Sequence, residues 1–246
     1  MSLANDSKSI VIFCDFDGTI TERDMIISLM ERFGPDGWEA IKDDILSQRI
    51  SVQEGVGKLF SLIPSVRREE LVQYAKDTVK IRNGFAEFVA YCKANGIPFL
   101  VTSGGIDFFV EPILTPYTQV ERIYCNGSDF SGETIQVLWP HDCDDQCDGG
   151  CGLCKPSILR DYPADQYTRV VIGDSITDLK AARLADIVIA RSLLLEKCRA
   201  EGLTHEPFQD FYDVLESIER LQKQSKSTSR DKAPDVPGRA MEEVSV

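Results

Sequence analysis

Three short apolar runs in this chain break off abruptly into polar residues: IVIFC into DFDGT, FLV into TSGG, and RVVIG into DSITD. Each run has strand length and β-branched content, and each is followed by a helix-length segment. Strands that alternate with helices and stay apolar along their length belong in a parallel sheet covered on both faces. In such open α/β sheets, ligands bind beyond the carboxyl ends of the strands. The three breaks therefore bring Asp15, Asp17, Thr102, Ser103, Asp174 and Asp178 toward one crevice, and Lys155, at a helix start, can join them.

The expected fold class is α/β: a Rossmann-like, mostly parallel sheet with helices on both faces. Between the first strand, 9–14, and the second lie four amphipathic patterns at 24–33, 36–47, 51–62 and 67–78. That is too long for a simple crossover and reads as an inserted helical cap. The expected organisation is an α/β catalytic core over 1–20 and 80–222, a helical cap over 21–79, and a disordered polar tail over 223–246. Asn83 is a candidate N-cap for a helix reaching Asn95, with Gly96 just past its end. Residues 106–114 read as a helix. RIYCNGSDFSGETIQVLW reads as a hairpin turning at Ser131-Gly132, and Lys155-Pro156 as the opening of a helix. A strand over 169–173, a helix over 175–184, a strand over 187–190 and helices over 193–201 and 210–223 complete the expectation. Neither G-x-G-x-x-G nor the P-loop pattern occurs.

The 246 residues carry a formal net charge of −13, which repels nucleic acid and anionic membrane alike; neither is an expected partner. An anionic substrate would need a local attraction or a bound cation. MSLANDSKS leads into four apolar residues before Cys14, too few for a signal core or a membrane span. The expected setting is the cytoplasm, and the eight cysteines are then thiols or metal ligands.

Converging carboxylates carry a cost. Two of them about 4 Å apart repel by roughly 4 kcal/mol at an effective dielectric of about 20. A hard divalent cation such as Mg²⁺ relieves this through oxygen ligands, or one carboxyl stays protonated beside its charged neighbours. Phosphoryl transfer uses both: one carboxylate attacks, a metal neutralises charge, and a protonated partner serves the leaving group. Each feature also has a plain alternative. Ser175 to Asp178 is a capping box, as is Thr21 to Asp24. Ser103-Gly104-Gly105 is an ordinary turn, and Lys155 a surface charge. The ordered set of four is what departs from coincidence.

In that order, DFDGT at Asp15 to Thr19, Ser103, Lys155 and GDSITD at Gly173 to Asp178 resemble the four signatures of the haloacid dehalogenase superfamily of phosphotransferases. The resemblance covers about 1–222. It implies that Asp15 is the nucleophile, forming an aspartyl-phosphate, and that Asp17 is the acid and then the base. It implies Mg²⁺ held by Asp15, Asp174 and the backbone carbonyl of Asp17, and a phosphoryl group bound by Ser103, Gly104 and Lys155. Thr19, Ser175 and Asp178 would support these from behind. The implied partner is a small phosphorylated metabolite, and hydrolysis the default outcome.

Within the superfamily, EGVGKLF, SGGIDFFVEPIL, WPHDC, CKPS and QDFYDV resemble the bacterial phosphatases of methionine salvage. These imply an enol-phosphate head and an apolar tail, for which Met25, Phe33, Trp38, Phe60, Phe108 and Phe109 are candidate walls; ordinary core is the alternative for most. Phosphoserine phosphatases share the small cap and are the competing resemblance. They usually carry Glu where this chain has Asp24, and Asn where it has Thr177.

HDCDDQCDGGCGLCK places Cys143, Cys147, Cys151 and Cys154 at C-x₃-C-x₃-C-x₂-C spacing. Thiolates this close could hold a structural Zn²⁺. A reduced loop, or disulfides formed in air, fits the same spacing. Cys14, Cys92, Cys125 and Cys198 read as small buried thiols.

Overall fold

The computed structural model describes residues 8–230, with side chains as far as residue 224. Among them are seven strands: β1 (Ser9–Cys14), β2 (Phe99–Ile106), β3 (Arg122–Asp129), β4 (Gln136–Leu138), β5 (Tyr167–Gly173), β6 (Ile187–Ala190) and β7 (His205–Pro207). They form one sheet in the order β4-β3-β2-β1-β5-β6-β7. All neighbours pair in parallel except β3 and β4, the expected hairpin. β1 is central, and its apolar run is continuous because both faces are covered. Ile10, Ile12 and Cys14 join one core cluster, while Val11 and Phe13 join another on the opposite face, as a period of two requires.

The helices between β1 and β2 are α1 (Met25–Phe33), α2 (Trp38–Leu46), α3 (Val52–Ser61), α4 (Arg68–Thr78) and α5 (Phe85–Ala94). The first four sit within a residue or two of the expected spans. Asp24 caps α1, accepting from the Ile27 N–H at 2.9 Å, and Ser51 caps α3, accepting from the Glu54 N–H at 3.1 Å. Thr21 is therefore not the cap of α1. Its hydroxyl accepts from the Gly18 N–H at 3.1 Å and donates to the Arg23 carbonyl at 2.7 Å. The cap position of α5 belongs to Gly84 rather than Asn83, whose carbonyl instead accepts from the Phe211 N–H.

The two chain passages into and out of the insert pair with each other. Thr21 bridges Ile81, the Glu22 N–H donates to the Lys80 carbonyl at 2.9 Å, and the Arg82 N–H to the Ile20 carbonyl at 2.8 Å. This neck fixes where the four helices stand over the sheet.

The remaining helices are α6 (Asp107–Leu114), α7 (Lys155–Arg160), α8 (Leu179–Ala182), α9 (Ser192–Glu201) and α10 (Phe211–Arg230). On one face Phe85, Phe88, Phe99 and Phe211 meet edge-on or tilted at centroid separations of 5.0–5.9 Å, welding α5 and α10 to β2. Three expectations change. The helix expected over 175–184 is a 3₁₀ turn, Ile176–Asp178, and then short α8. A strand, β7, lies where none was expected. α10 runs on to Arg230, past 223, where the tail was expected to begin; the rest of that tail, 231–246, lies outside the described residues, as do 1–7. Among the described residues no helix is long and apolar enough to cross a membrane.

Candidate active site

Asp15 follows β1 directly, its N–H donating to the Ile172 carbonyl of β5 at 2.9 Å. The chain then leaves the sheet through a tight turn over Phe16–Ile20. Phe16 is buried, and Gly18 has φ of +76°, in the left-handed region. A Cβ at Gly18 would come 2.4 Å from Asp174 Oδ2, so glycine is required both by conformation and by close approach. Two arginines pin this turn. Arg82 Nε donates to the Thr19 carbonyl at 2.8 Å, and its Nη2 to the carbonyls of Gly18 at 2.8 Å and Thr21 at 3.1 Å. Arg191 Nη1 adds a second bond to the Gly18 carbonyl at 2.9 Å.

Lys155, the first residue of α7, is 4% exposed and points under the end of β1. Its Nζ lies 2.5 Å from Asp15 Oδ1 and 2.5 Å from Asp178 Oδ1. The other oxygen of Asp178 accepts from the N–H groups of Asp174 at 3.1 Å and Ser175 at 3.0 Å. Asp178 thus divides its two oxygens, one for the backbone cap and one for Lys155. Asp174 takes the Thr19 hydroxyl at 3.3 Å. One oxygen each from Asp15, Asp174 and Asp178 lie within 4.8 Å of one another.

The electrostatics follow from that crowding. Burial pushes the Asp15 carboxyl up, and Asp178 and Asp174 add to the rise against the pull of Lys155, to about 8. Burial and Asp178 raise Asp174 to about 6. Burial would lower Lys155, but Asp15 and Asp178 hold it above the ordinary lysine value. Three carboxylates thus crowd one ammonium in a buried site, which disfavours full ionisation of Asp15 and Asp174.

Asp17 stands apart from this cluster. Its Oδ1 accepts the Met25 N–H at 2.8 Å, at the start of α1. Burial, followed by the charge of Asp24, raises its pKa well above the ordinary carboxylate range. On β2, Ser103 is fully buried and its hydroxyl oxygen accepts the Gly105 N–H at 2.9 Å. Asn126 Nδ2, from β3, holds the Gly104 carbonyl at 2.8 Å.

The family profile for haloacid dehalogenase-like hydrolases matches residues 12–183, a span that takes in Asp15, Ser103, Lys155 and Asp174. The chain belongs to the haloacid dehalogenase-like hydrolases. A 2-hydroxy-3-keto-5-methylthiopentenyl-1-phosphate phosphatase of Geobacillus kaustophilus (strain HTA426) is 56% identical over 216 residues, covering 88% of this chain and 98% of the relative. The protein of that name from Brevibacillus brevis is 53% identical, covering 89% and 99%. Among solved structures, a phospho-aspartyl intermediate analogue of phosphoserine phosphatase superposes with a TM-score of 0.66 at 19% identity, covering 85% of this chain and 99% of that one. Likeness at that identity shows the shared fold.

In this haloacid dehalogenase-like hydrolase, direct contacts join Asp15, Lys155, Asp174, Asp178, Ser175 and Thr19. Ser103 and Gly104 stand on the adjacent strand end, since Cys14 pairs with Val101. The six candidate wall residues are all buried. Phe60, Phe108, Phe109 and Phe16 form a chain of ring contacts from the insert to the turn after Asp15, with centroids 5.2–6.4 Å apart. Asp24 is committed to capping α1, and Arg23, Arg49 and Glu54 to surface ion pairs. Arg82, Arg191 and Asn126 were not singled out from the sequence. Their work is done on carbonyl groups, and no local pattern marks a side chain for that. The four loop cysteines also come together, with one Sγ each within 4.8 Å of the rest.

Proposed function

We propose that this chain is a cytoplasmic, Mg²⁺-dependent phosphatase that hydrolyses 2-hydroxy-3-keto-5-methylthiopentenyl-1-phosphate through an aspartyl-phosphate on Asp15. The observation that carries the substrate is the 56% identity to a relative of that name over 98% of its length, insert included. The chemistry is supported by the Asp15–Lys155–Asp178 cluster at the end of the central strand.

The residues present fit a divalent cation. The donors are hard oxygens, and burial together with the neighbouring carboxylates lifts Asp15 and Asp174, a cost that a cation would relieve. Asp15, Asp174 and the backbone carbonyl of Asp17 would hold it, and bound there it would offset that charge for an incoming phosphate dianion.

Asp15 then attacks phosphorus as a carboxylate, forming the Asp15–phosphate bond as the bond to the substrate oxygen breaks. Asp17, neutral through burial and its neighbours, gives its proton to that leaving oxygen. Water next attacks the phospho-aspartate. Asp17 takes the proton back from it, and inorganic phosphate departs with Asp15 restored. Lys155 and Ser103 hold the phosphoryl oxygens, and Asp178 keeps Lys155 charged and in place. Met25, whose backbone N–H anchors Asp17, is the wall candidate tied most directly to the acid and would pack against the methylthio tail.

Phosphate release with Mg²⁺, comparing the enol-phosphate made in situ with phosphoserine and using Asp15→Asn as blank, tests this. Preference for the enol-phosphate by about two orders of magnitude or more in kcat/KM is expected. Preference for phosphoserine overturns the substrate; turnover of neither withdraws it.

A further inference from the structure

Between β4 and α7 the chain runs from Trp139 to Cys154 with no helix or strand. A stretch of that length without secondary structure needs something else to order it. Part of the answer is on the surface. The Asp144 carboxylate grips the Arg160 guanidinium, the Cys154 N–H donates to the His141 carbonyl at 3.1 Å, and the His141 ring stands edge-on to Tyr124 at 5.2 Å. These hold only the ends. The middle, Cys147 to Gly152, contains three glycines in the left-handed region and coils around the four cysteines.

Their sulfurs all lie within 4.8 Å of one another, and Cys147 and Cys151 are 3.6 Å apart. Around a tetrahedral Zn²⁺ with bonds of about 2.3 Å, sulfurs stand about 3.8 Å apart, so a slight contraction about a single centre completes the site. The Gly149 N–H is directed to the Cys147 sulfur and the Cys151 N–H to that of Cys143. Lys180 Nζ lies 3.9 Å from both the Cys147 and Cys151 sulfurs, where its charge would offset part of the net negative charge of a tetrathiolate. The oxygen cluster around Asp15 is a separate group; hard cations take oxygen and leave sulfur to softer ones.

We propose that Cys143, Cys147, Cys151 and Cys154 bind one Zn²⁺ as a closed tetrathiolate that orders this loop between the helical insert and Lys155. On one side, the Gly150 carbonyl receives the Gln53 N–H at 3.2 Å, in the first turn of α3. On the other, Cys154 is the residue before Lys155. The metal site itself does not depend on the phosphatase assignment; its influence on Lys155 does.

The test is elemental analysis of the full chain purified anaerobically without chelator, read with no substrate present. About one zinc per chain is expected, released by a mercurial reagent as the loop thiols are consumed. Replacement by Co²⁺ should give the visible bands of a tetrathiolate. The Cys147→Ser, Cys151→Ser double variant should lose the metal and melt several degrees lower, while Cys198→Ala, outside the cluster, should keep it. Folded, metal-free protein with four free loop thiols overturns the proposal. So do loop disulfides in protein kept anaerobic, iron in place of zinc, or zinc retained by the double variant. Should that variant not fold, the zinc content and Co²⁺ spectrum of the unaltered chain still decide. A zinc site in a chain that turns over no phosphate ester would leave this proposal standing and sink the other.

Discussion

The aspartate cluster and the cysteine loop are both groups of potential metal ligands, but they are made in opposite ways. The first gathers Asp15, Lys155, Asp174 and Asp178 from positions up to 163 apart in number, and the sheet does the gathering: β1 and β5 are neighbours, so their last residues must be as well. The second draws four cysteines from twelve consecutive positions, with no strand or helix between them. A site assembled by a sheet is rigid before its ligand arrives, and it can store unfavourable charge because the core holds it. A site assembled by a glycine-rich loop has no such support, so its ligand must supply the order. One cluster should therefore sacrifice stability for function, and the other should do the reverse.

The largest expected effect breaks that comparison most directly. Asp15→Asn should lower turnover by at least about 10³-fold, because the amide is not a nucleophile, while leaving the melting temperature unchanged or higher near neutral pH. The amide oxygen can still accept from Lys155 while one of the crowded charges is gone. Phosphate release and thermal melts on the same preparation check both halves. A variant that melts markedly lower would show that Asp15 supports the fold after all.

Next is Arg82, whose guanidinium serves the carbonyls of Gly18, Thr19 and Thr21 from a site only 8% exposed. Arg82→Met removes charge-assisted bonds and leaves buried acceptors unmet, at a cost of about 2–4 kcal/mol. The turn carrying Asp17 should loosen, so kcat should fall more than KM rises. Denaturant melts with steady-state kinetics test it; an unchanged kcat would confine Arg82 to a structural role.

Why these arginines escaped a reading of the sequence, while the aspartates did not, is a physical matter. Asp15 and Asp174 each interrupt an apolar run, and burying such a charge beside a strand is anomalous wherever it occurs. Lys155 was found through Pro156, which marks a helix start. Arg82 and Arg191 sit in ordinary polar contexts, and their acceptors are backbone carbonyls, which every residue has. The four helices of the insert were legible from amphipathic spacing, but their caps were not: α1 is capped by Asp24 rather than Thr21. β7 was not, because three residues at a sheet edge have no period. Asp17 shows a subtler limit. Period two places it on the face of Asp15, but the chain leaves the sheet after Asp15, and the carboxylate goes instead to the N–H of Met25.

A smaller effect concerns pH. Asp15 and Asp174 have folded-state values, about 8 and about 6, above the unfolded value of 3.8. Between those limits these two groups hold more protons in the folded chain than in the unfolded one, so their contribution to stability is greatest below about pH 4 and declines as pH rises through ~6 and ~8. A bound divalent cation should oppose that decline. Mg²⁺ should thus raise the melting temperature by several degrees near pH ~8 and by little near pH ~5. Melts with and without Mg²⁺ across that range check it, and an equal gain at every pH would mean that the ion is not relieving these carboxylates.

The smallest effect isolates the contact between the cysteine loop and the insert. Gly149 and Gly150 both lie in the left-handed region, at φ of +87° and +73°, so alanine at either should cost about 1 kcal/mol through conformation alone. Their surroundings differ. A Cβ at Gly149 meets open space, whereas one at Gly150 comes 2.8 Å from Ser51 Cβ, at the cap of α3. Gly149→Ala therefore measures the strain of the loop, and the excess effect of Gly150→Ala measures the contact. If the loop helps to set the insert over Lys155, Gly150→Ala should raise KM by a few-fold where Gly149→Ala does not, with melting temperatures only a degree or two apart. Equal KM values in the two variants would mean that the loop touches the insert without positioning it, and would limit the cysteine site to stability.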